Sequence, residues 1–447
     1  MSLSKFPAAW VPSLYFTESL PYMLINIVAV PMYLALGLSE ELIPLYVGFL
    51  GYAWTVKPLW SPVVELRSTR RNWTLAMQFI LTIGFALVGM VIGTGQYFLV
   101  SFSLLAILSV VSATHDIAID GLYLEVLSEK HQSFYVGIRT TFYRIGLFFA
   151  KGPLLIVVGM IMAGKISFFG EDPGAATAYQ WGWYLCAGIF AVLWVYHYFF
   201  LPDDGKVSKE QSEKIEEIGG EGESVLSEPV EEERKTIKEL LISFFDKPQI
   251  GIMVLFLLFY RLGESQIQTI SQTFLMNTVE NGGLGISTEV FGILYGTYGS
   301  IALIAGGILG GVVISRDGLK KWLWPMLIAI NLPNAAYVYL AYAQPDSHSI
   351  ISYCIALEQF GYGFGFTAFV MYMIYIAKGK YQTAHYAFAT GIMALGNIIP
   401  MQFSGFIKEA FADYTSFFIW TLVATIPAFV ITAFIPLDSE FGKKDKE

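Results

Sequence analysis

The chain is short of charge and almost without cysteine. Only 14% of its 447 residues are Asp, Glu, Lys or Arg, against about 25% in an ordinary soluble domain. That shortage excludes a conventional soluble protein, although the length would suit two or three soluble domains. The two cysteines, Cys186 and Cys354, fall in different predicted helices. They give no disulfide framework and no ligand spacing, and read as small apolar fillers. No metal-ligand cluster, Walker-type phosphate loop or nucleophile motif is present. The expectation is therefore neither a primary pump nor an enzyme, with no cofactor, no metal and no nucleic-acid partner. No small-residue cleavage site precedes the first apolar run in MSLSKFPAAWVPSLYF. The first helix is expected to act as its own uncleaved insertion signal.

What the chain has in quantity is hydrophobic residues, at 55%, with mean hydropathy +0.57. They recur in runs long enough to cross a bilayer, about 20 residues each. Twelve are counted, roughly 10–36, 44–65, 72–93, 97–124, 134–162, 179–201, 249–275, 289–313, 322–342, 350–377, 383–407 and 415–436. The fold expected is an all-α integral membrane protein of twelve transmembrane helices in two pseudo-symmetric six-helix bundles, 1–201 and 249–447. Between them, 202–248 is rich in Glu, Lys, Ser and Gly and reads as a solvated linker, with a short surface helix from Glu231 to Phe245. Residues 202–247 hold 14 acids and 7 Lys/Arg, a net −7 of the chain's −9. The acidity is thus that of one loop.

With the N-terminus inside, 13 Lys/Arg lie in the short inside segments, and only Lys165 and Lys408 outside. The bias puts both termini and the linker in the cytoplasm. The halves also repeat. Glu18-Ser19 matches Glu264-Ser265, LGLSEEL (36–42) matches LGISTEV (284–290), and Arg67 and Trp73 match Arg316 and Trp322. The offset stays between 246 and 250, and both halves begin inside, so the repeats are parallel.

Five acids and five bases interrupt these apolar runs: Glu18, Asp116, Asp120, Glu264 and Glu358; Lys57, Arg139, Arg144, Lys151 and Arg261. Each costs roughly 2.5–3.5 kcal/mol at a helix centre, so each must be paired or face a polar path. Arg261, Glu264 and Gln268 fall at i, i+3 and i+7, on one face near the midplane. They suit a substrate or coupling site, or a local ion pair that only holds the helix in place. Glu18 sits with Tyr15 and Tyr22 at i−3 and i+4, ahead of Pro21, which frees a backbone carbonyl and kinks helices. It suits a proton carrier, or a permanent partner of Lys57 or Arg139. Asp116 and Asp120 share a face, with His115 beside the first, a histidine that suits an interior hydrogen bond or a proton relay.

Asp120 and Arg139 lie toward the cytoplasmic end and suit an inner gate of salt bridges. Arg144 and Lys151, seven apart, share a face, from which Arg139 points away. Lys57, Lys151 and Arg261 either present positive charge to an anionic substrate or neutralise the acids. Tyr143 and Tyr260, next to Arg144 and Arg261, are candidates for stacking on a substrate ring. The basic loops ELRSTRRNW (65–73) and SRDGLKKW (315–322) satisfy the positive-inside rule, and their matched placement suggests that Arg67, Arg70, Arg71 and Arg316 help close the cytoplasmic side. Dense glycines, Gly306, Gly310, Gly361 and Gly363 among them, suggest close helix approach.

Several stretches resemble the AmpG-like branch of the major facilitator superfamily. They are KPLWSPVVELRSTRRNW (57–73), SATHDIAIDGLYLEVL (112–127), FYVGIRTTFYRIG (134–146), LEQFGYGFGFTAFVMYMIYIA (357–377) and TAHYAFATG (383–391). That branch groups bacterial muropeptide permeases with acetyl-CoA transporters. The resemblance implies alternating access, proton coupling and a monomer in the bacterial inner membrane, its partners a small anionic substrate, protons and lipid. Glu18 departs from the muropeptide permeases, and Gly121 is similar to the acetyl-CoA transporters. The expectation is proton-coupled uptake of an anion such as anhydro-muropeptide. The alternatives are transport of acetyl-CoA or another organic anion, or a non-transporting receptor on the same scaffold.

Overall fold

The structure is a computed structural model that describes residues 6–443, except 95–96, 128, 167–168, 171–172, 204–236, 380 and 412. Helix is the only regular structure among the described residues. Among the described residues, eleven helices are long and apolar enough to cross a membrane: α1 (Pro7–Ala35), α3 (Arg70–Ile92), α4 (Tyr97–Val126), α5 (Gly137–Met162), α6 (Gly174–Phe200), α8 (Ile250–Met276), α9 (Thr288–Asp317), α10 (Leu319–Ala343), α11 (His348–Ala377), α12 (His385–Glu409) and α13 (Tyr414–Thr432). The remaining expected span is shorter. It runs as α2 (Leu42–Val56), a 3-10 turn (Lys57–Leu59) and Ser61–Arg67. A surface helix, α7 (Ile237–Phe245), precedes α8. The expected linker 202–248 otherwise lies mainly outside the described residues.

Local chemistry sets the ends and the interruptions. The Thr69 hydroxyl accepts from Asn72 N at the start of α3, and Ser287 does the same for Val290 N at the start of α9. Pro21 is followed within one turn by a π segment, Leu24–Val28. Pro153 lies in another, Ala150–Leu154, which carries Lys151. Lys57 opens the 3-10 turn that holds Pro58. In α8, helix stops at Phe259 and resumes at Leu262, with Arg261 outside it at φ −112° and ψ 14°. Irregular backbone at membrane depth survives only where protein buries it or water reaches it. Three of the irregular stretches hold charged residues, Lys57, Lys151 and Arg261, whereas Leu24–Val28 holds none.

By contacts the chain divides along a line different from the sequence halves. One unit comprises 1–25, 56–149 and 179–236, and the other 26–55, 150–178 and 237–447. The first has a core around Trp10, Leu14, Tyr15, Ile119 and Tyr123. The second has one around Phe256, Tyr260, Phe369 and Tyr372.

Close backbone contacts tie 150–178 into the second unit, and side-chain bonds from Glu40 tie in 26–55. A Cβ on Gly296 would meet Lys151 O at 1.9 Å, and one on Gly159 would meet Glu289 N at 2.1 Å. The Glu40 carboxylate accepts from Lys408 Nζ, from the Tyr414 hydroxyl and, at 3.3 Å, from Asn277 Nδ2. The loop after α1 is thereby held to the ends of α8 and α12 and the start of α13.

Candidate functional site: two charged clusters

In the first unit, α1, the Lys57 turn, α4 and α5 bring their charged residues together. Lys57 Nζ is 3.7 Å from Asp116 Oδ2, and Arg139 Nη2 is 3.3 Å from Asp120 Oδ1. The Tyr15 hydroxyl donates to Asp120 at 3.0 Å. The Arg139 guanidinium lies over the Tyr15 and Tyr123 rings, 4.6 and 4.9 Å from their centroids. Aromatic faces stabilise a cation where water is scarce. Glu18 is 8% exposed, and its Oε2 has no hydrogen-bond partner among the described residues. Asp116, Asp120, Lys57 and Arg139 all lie within its Coulombic reach. Tyr143 stands within reach of Glu18, Asp116 and Asp120. Arg144 is exposed.

The close approach of α5 to α1 depends on Gly146. A Cβ there would sit 2.0 Å from Ser19 Oγ, beside Glu18. His115 is fully buried, and neither ring nitrogen has a hydrogen-bond partner among the described residues.

In the second unit the trio at i, i+3 and i+7 does meet. Arg261 Nε donates to Glu264 Oε2 at 2.8 Å, and Gln268 Nε2 to Glu264 Oε1 at 3.0 Å. The break before Leu262 puts Glu264 in the first turn of a helix, where backbone N–H groups favour an anion. Tyr362 and Phe366 flank the guanidinium, with ring centroids 5.0 and 5.2 Å away. Glu358 is buried. Its Oε2 accepts from Gln359 Nε2 at 2.8 Å and from the Tyr337 hydroxyl at 3.4 Å, with Glu264 and Lys151 in Coulombic reach. Lys151 Nζ lies 5.7 Å from the centroid of the Tyr295 ring.

Of the ten residues, six form three ion pairs: Lys57–Asp116, Arg139–Asp120 and Arg261–Glu264. Two acids, Glu18 and Glu358, and two bases, Arg144 and Lys151, are in none among the described residues.

Other expected residues are placed elsewhere. Tyr260 is fully buried, stacked on Phe369 at 4.7 Å, and its hydroxyl donates to Gly365 O at 3.0 Å. Its ring is committed to the core and has no free face for a substrate. Arg144 and Lys151 fall in different units, so their seven-residue spacing leads to different surroundings. Among the basic-loop residues, Arg70 Nε is 3.7 Å from Glu125, and Gly121 leaves it room, since a Cβ there would meet Arg70 Nε at 2.8 Å. Arg71 donates to Tyr198 O and Leu201 O, at the C-terminal end of α6. Arg316 pairs with Asp317 at 2.9 Å, and Arg67 is exposed.

Sequence reasoning passed over Tyr295, Tyr337, Tyr362 and Gln359. Tyr362 had a usable signal, since it lies four residues after Glu358 in α11.

A family profile described as Major Facilitator Superfamily matches residues 13–401. The chain is 22% identical over 398 residues to the anhydromuropeptide permease of Escherichia coli (strain K12), covering 86% of this chain and 71% of that one. It is similar in structure to a bacterial homolog of the human lysosomal transporter Spinster, with TM-score 0.70, 14% identity and 96% of each chain covered. It is also similar to the nucleoside transporter NupG, with TM-score 0.67, 15% identity and 97% and 99% covered.

Proposed function

Because the chain belongs to the Major Facilitator Superfamily, we propose that it couples proton movement to the passage of a small anion across a bacterial inner membrane. At the coarser level it is a multi-pass secondary transporter that works by alternating access, distantly related to the AmpG-like permeases, and not an enzyme. The orientation we adopt has both termini in the cytoplasm, with 1–201 and 249–447 as the rocking halves.

One observation supports the proton-and-anion reading: four of the ten residues stand outside ion pairs among the described residues. Glu18 and Glu358 can exchange a proton without breaking a salt bridge. With Glu18 protonated the first unit keeps Arg144, and with Glu358 protonated the second keeps Lys151, as a positive charge outside any ion pair among the described residues. Protonation thereby creates the charge that an anion answers, and loss of the protons cancels it. Proton and anion are then bound together and released together. Lys57, Arg261, Tyr143 and Gln268 complete the set from which substrate contacts are drawn, while Asp116, Asp120 and Glu264 are held in pairs that an incoming anion can compete for. Arg139, Arg67, Arg70, Arg71 and Arg316 are assigned to closing the cytoplasmic side.

Anhydro-muropeptide is the first choice of cargo, because the E. coli relative is named for it. Acetyl-CoA is the second. The test is flux in proteoliposomes offered each labelled compound, with and without an inward proton gradient. Gradient-stimulated accumulation of one of them is the expected result. Binding without flux under any gradient would replace the transporter by a receptor.

A further inference from the structure

We infer that α7 lies in the headgroup layer of the membrane, with Leu241, Ile242 and Phe245 inserted among the lipids. The helix has two faces with different surroundings. One is docked. Phe244 is 0% exposed and packs on His385 and Phe388, with ring centroids 5.5 and 5.8 Å away. Ser243 Oγ lies 2.9 Å from His385 Nε2. Just beyond the helix, Lys247 Nζ donates to the carbonyls of Ile376 and Lys378, the latter at 2.9 Å. These ties fix α7 as a rigid part of the second unit.

The other face is bare. Leu241 is 37% exposed, Ile242 49% and Phe245 52%, at spacings of three and four that align them along one side. Three large apolar side chains on a nine-residue helix form a patch that water disfavours.

The level at which α7 is docked identifies what covers that face. The carbonyls that Lys247 holds lie at the C-terminal end of α11, which stops at Ala377. His385 begins the apolar span of α12. The next span, α8, begins at Ile250, five residues after Phe245, and presents exposed Gly251 and Leu255 along its flank. Three membrane-length helices therefore begin or end at α7, so the boundary between hydrocarbon and water passes through it. The exposed apolar residues of α7 are thus followed within ten residues by exposed positions at the start of a membrane-length helix, Gly251 and Leu255. Acidic residues flank it, with Glu239 and Asp246 exposed on the helix and just after it. An apolar stripe bordered by charge at this depth is the pattern of a helix lying in the interface.

The test uses the full chain in phosphatidylethanolamine–phosphatidylglycerol vesicles, with a nitroxide on Ile242→Cys or Phe245→Cys and, as a control, on Asp246→Cys. The native Cys186 and Cys354 are replaced by Ala. If that background does not fold, both are kept, as buried thiols, and the signal of unsubstituted protein is subtracted. Power saturation should show the 242 and 245 labels more accessible to oxygen than to a water-soluble nickel chelate, and the 246 label the reverse. Labels at 242 and 245 that favour the chelate would place the face in water and overturn the inference. Labels shielded from both reagents would overturn it too, showing the face covered by residues 204–236 or by a second copy.

Discussion

Arg261 and Glu264 are joined at 2.8 Å, although a break in the helix falls between them. Their side chains are only 7% and 5% exposed. Removing one partner strands the other, which for a buried pair costs about 3–5 kcal/mol. Arg261→Gln should therefore lower the melting temperature markedly. The double variant with Glu264→Gln should regain most of the loss. A double variant no more stable than either single one would show that the pair does not hold the fold.

Glu18→Gln and Glu358→Gln each remove a proton-exchanging group without dissolving an ion pair. Each should fold normally and bind the cargo, yet lose gradient-driven accumulation. Uptake should fall to simple equilibration, a concentration ratio of about 1 where no driving force is coupled. Full accumulation by both variants would take these two acids out of the coupling step.

Arg144→Gln and Lys151→Gln test the anion side of the same charge arithmetic. A hydrogen bond to a charged group contributes about 1.5–3 kcal/mol, so each change should weaken cargo binding by roughly tenfold or more. Isothermal titration of the purified protein reads this directly. Unchanged affinity in both would move the anion contact to Lys57 or Arg261.

Glu40→Gln should loosen the loop after α1, because three donors converge on that carboxylate. Glu40 and Lys408 have side chains 17% and 18% exposed, so solvent screens the pair in part. A loss of about 1–3 kcal/mol is expected. Hydrogen exchange should rise at residues 38–41 while α3 and α4 stay protected. Unaltered exchange there would mean that other contacts hold the segment, such as Glu41 O against Gly405, where a Cβ would come within 2.1 Å.

Much of this was legible in the chain. Hydrophobic run length marked the spans, because a bilayer fixes how long a helix must be. The i, i+3, i+7 spacing brought Arg261, Glu264 and Gln268 together, because helix geometry leaves little choice. Asp120 and Arg139 were legible together because both fall toward one end of the membrane, whereas Lys57 had several acids to choose from, Glu18 among them, and only the fold pairs it with Asp116. Glu40 and Lys408 were not legible as partners. They are 368 residues apart, and no periodicity connects a loop to a distant helix end. Tyr260 misled for a related reason. Its neighbour Arg261 does reach the charged cluster, but at a helix break adjacent residues need not face the same way.

The glycine contacts within the second unit have one more consequence. Where Gly159 meets Glu289 and Gly296 meets Lys151, backbone lies against backbone. Any side chain larger than hydrogen at Gly159 or Gly296 would therefore act as a wedge, prising the 150–162 end of α5 from the start of α9.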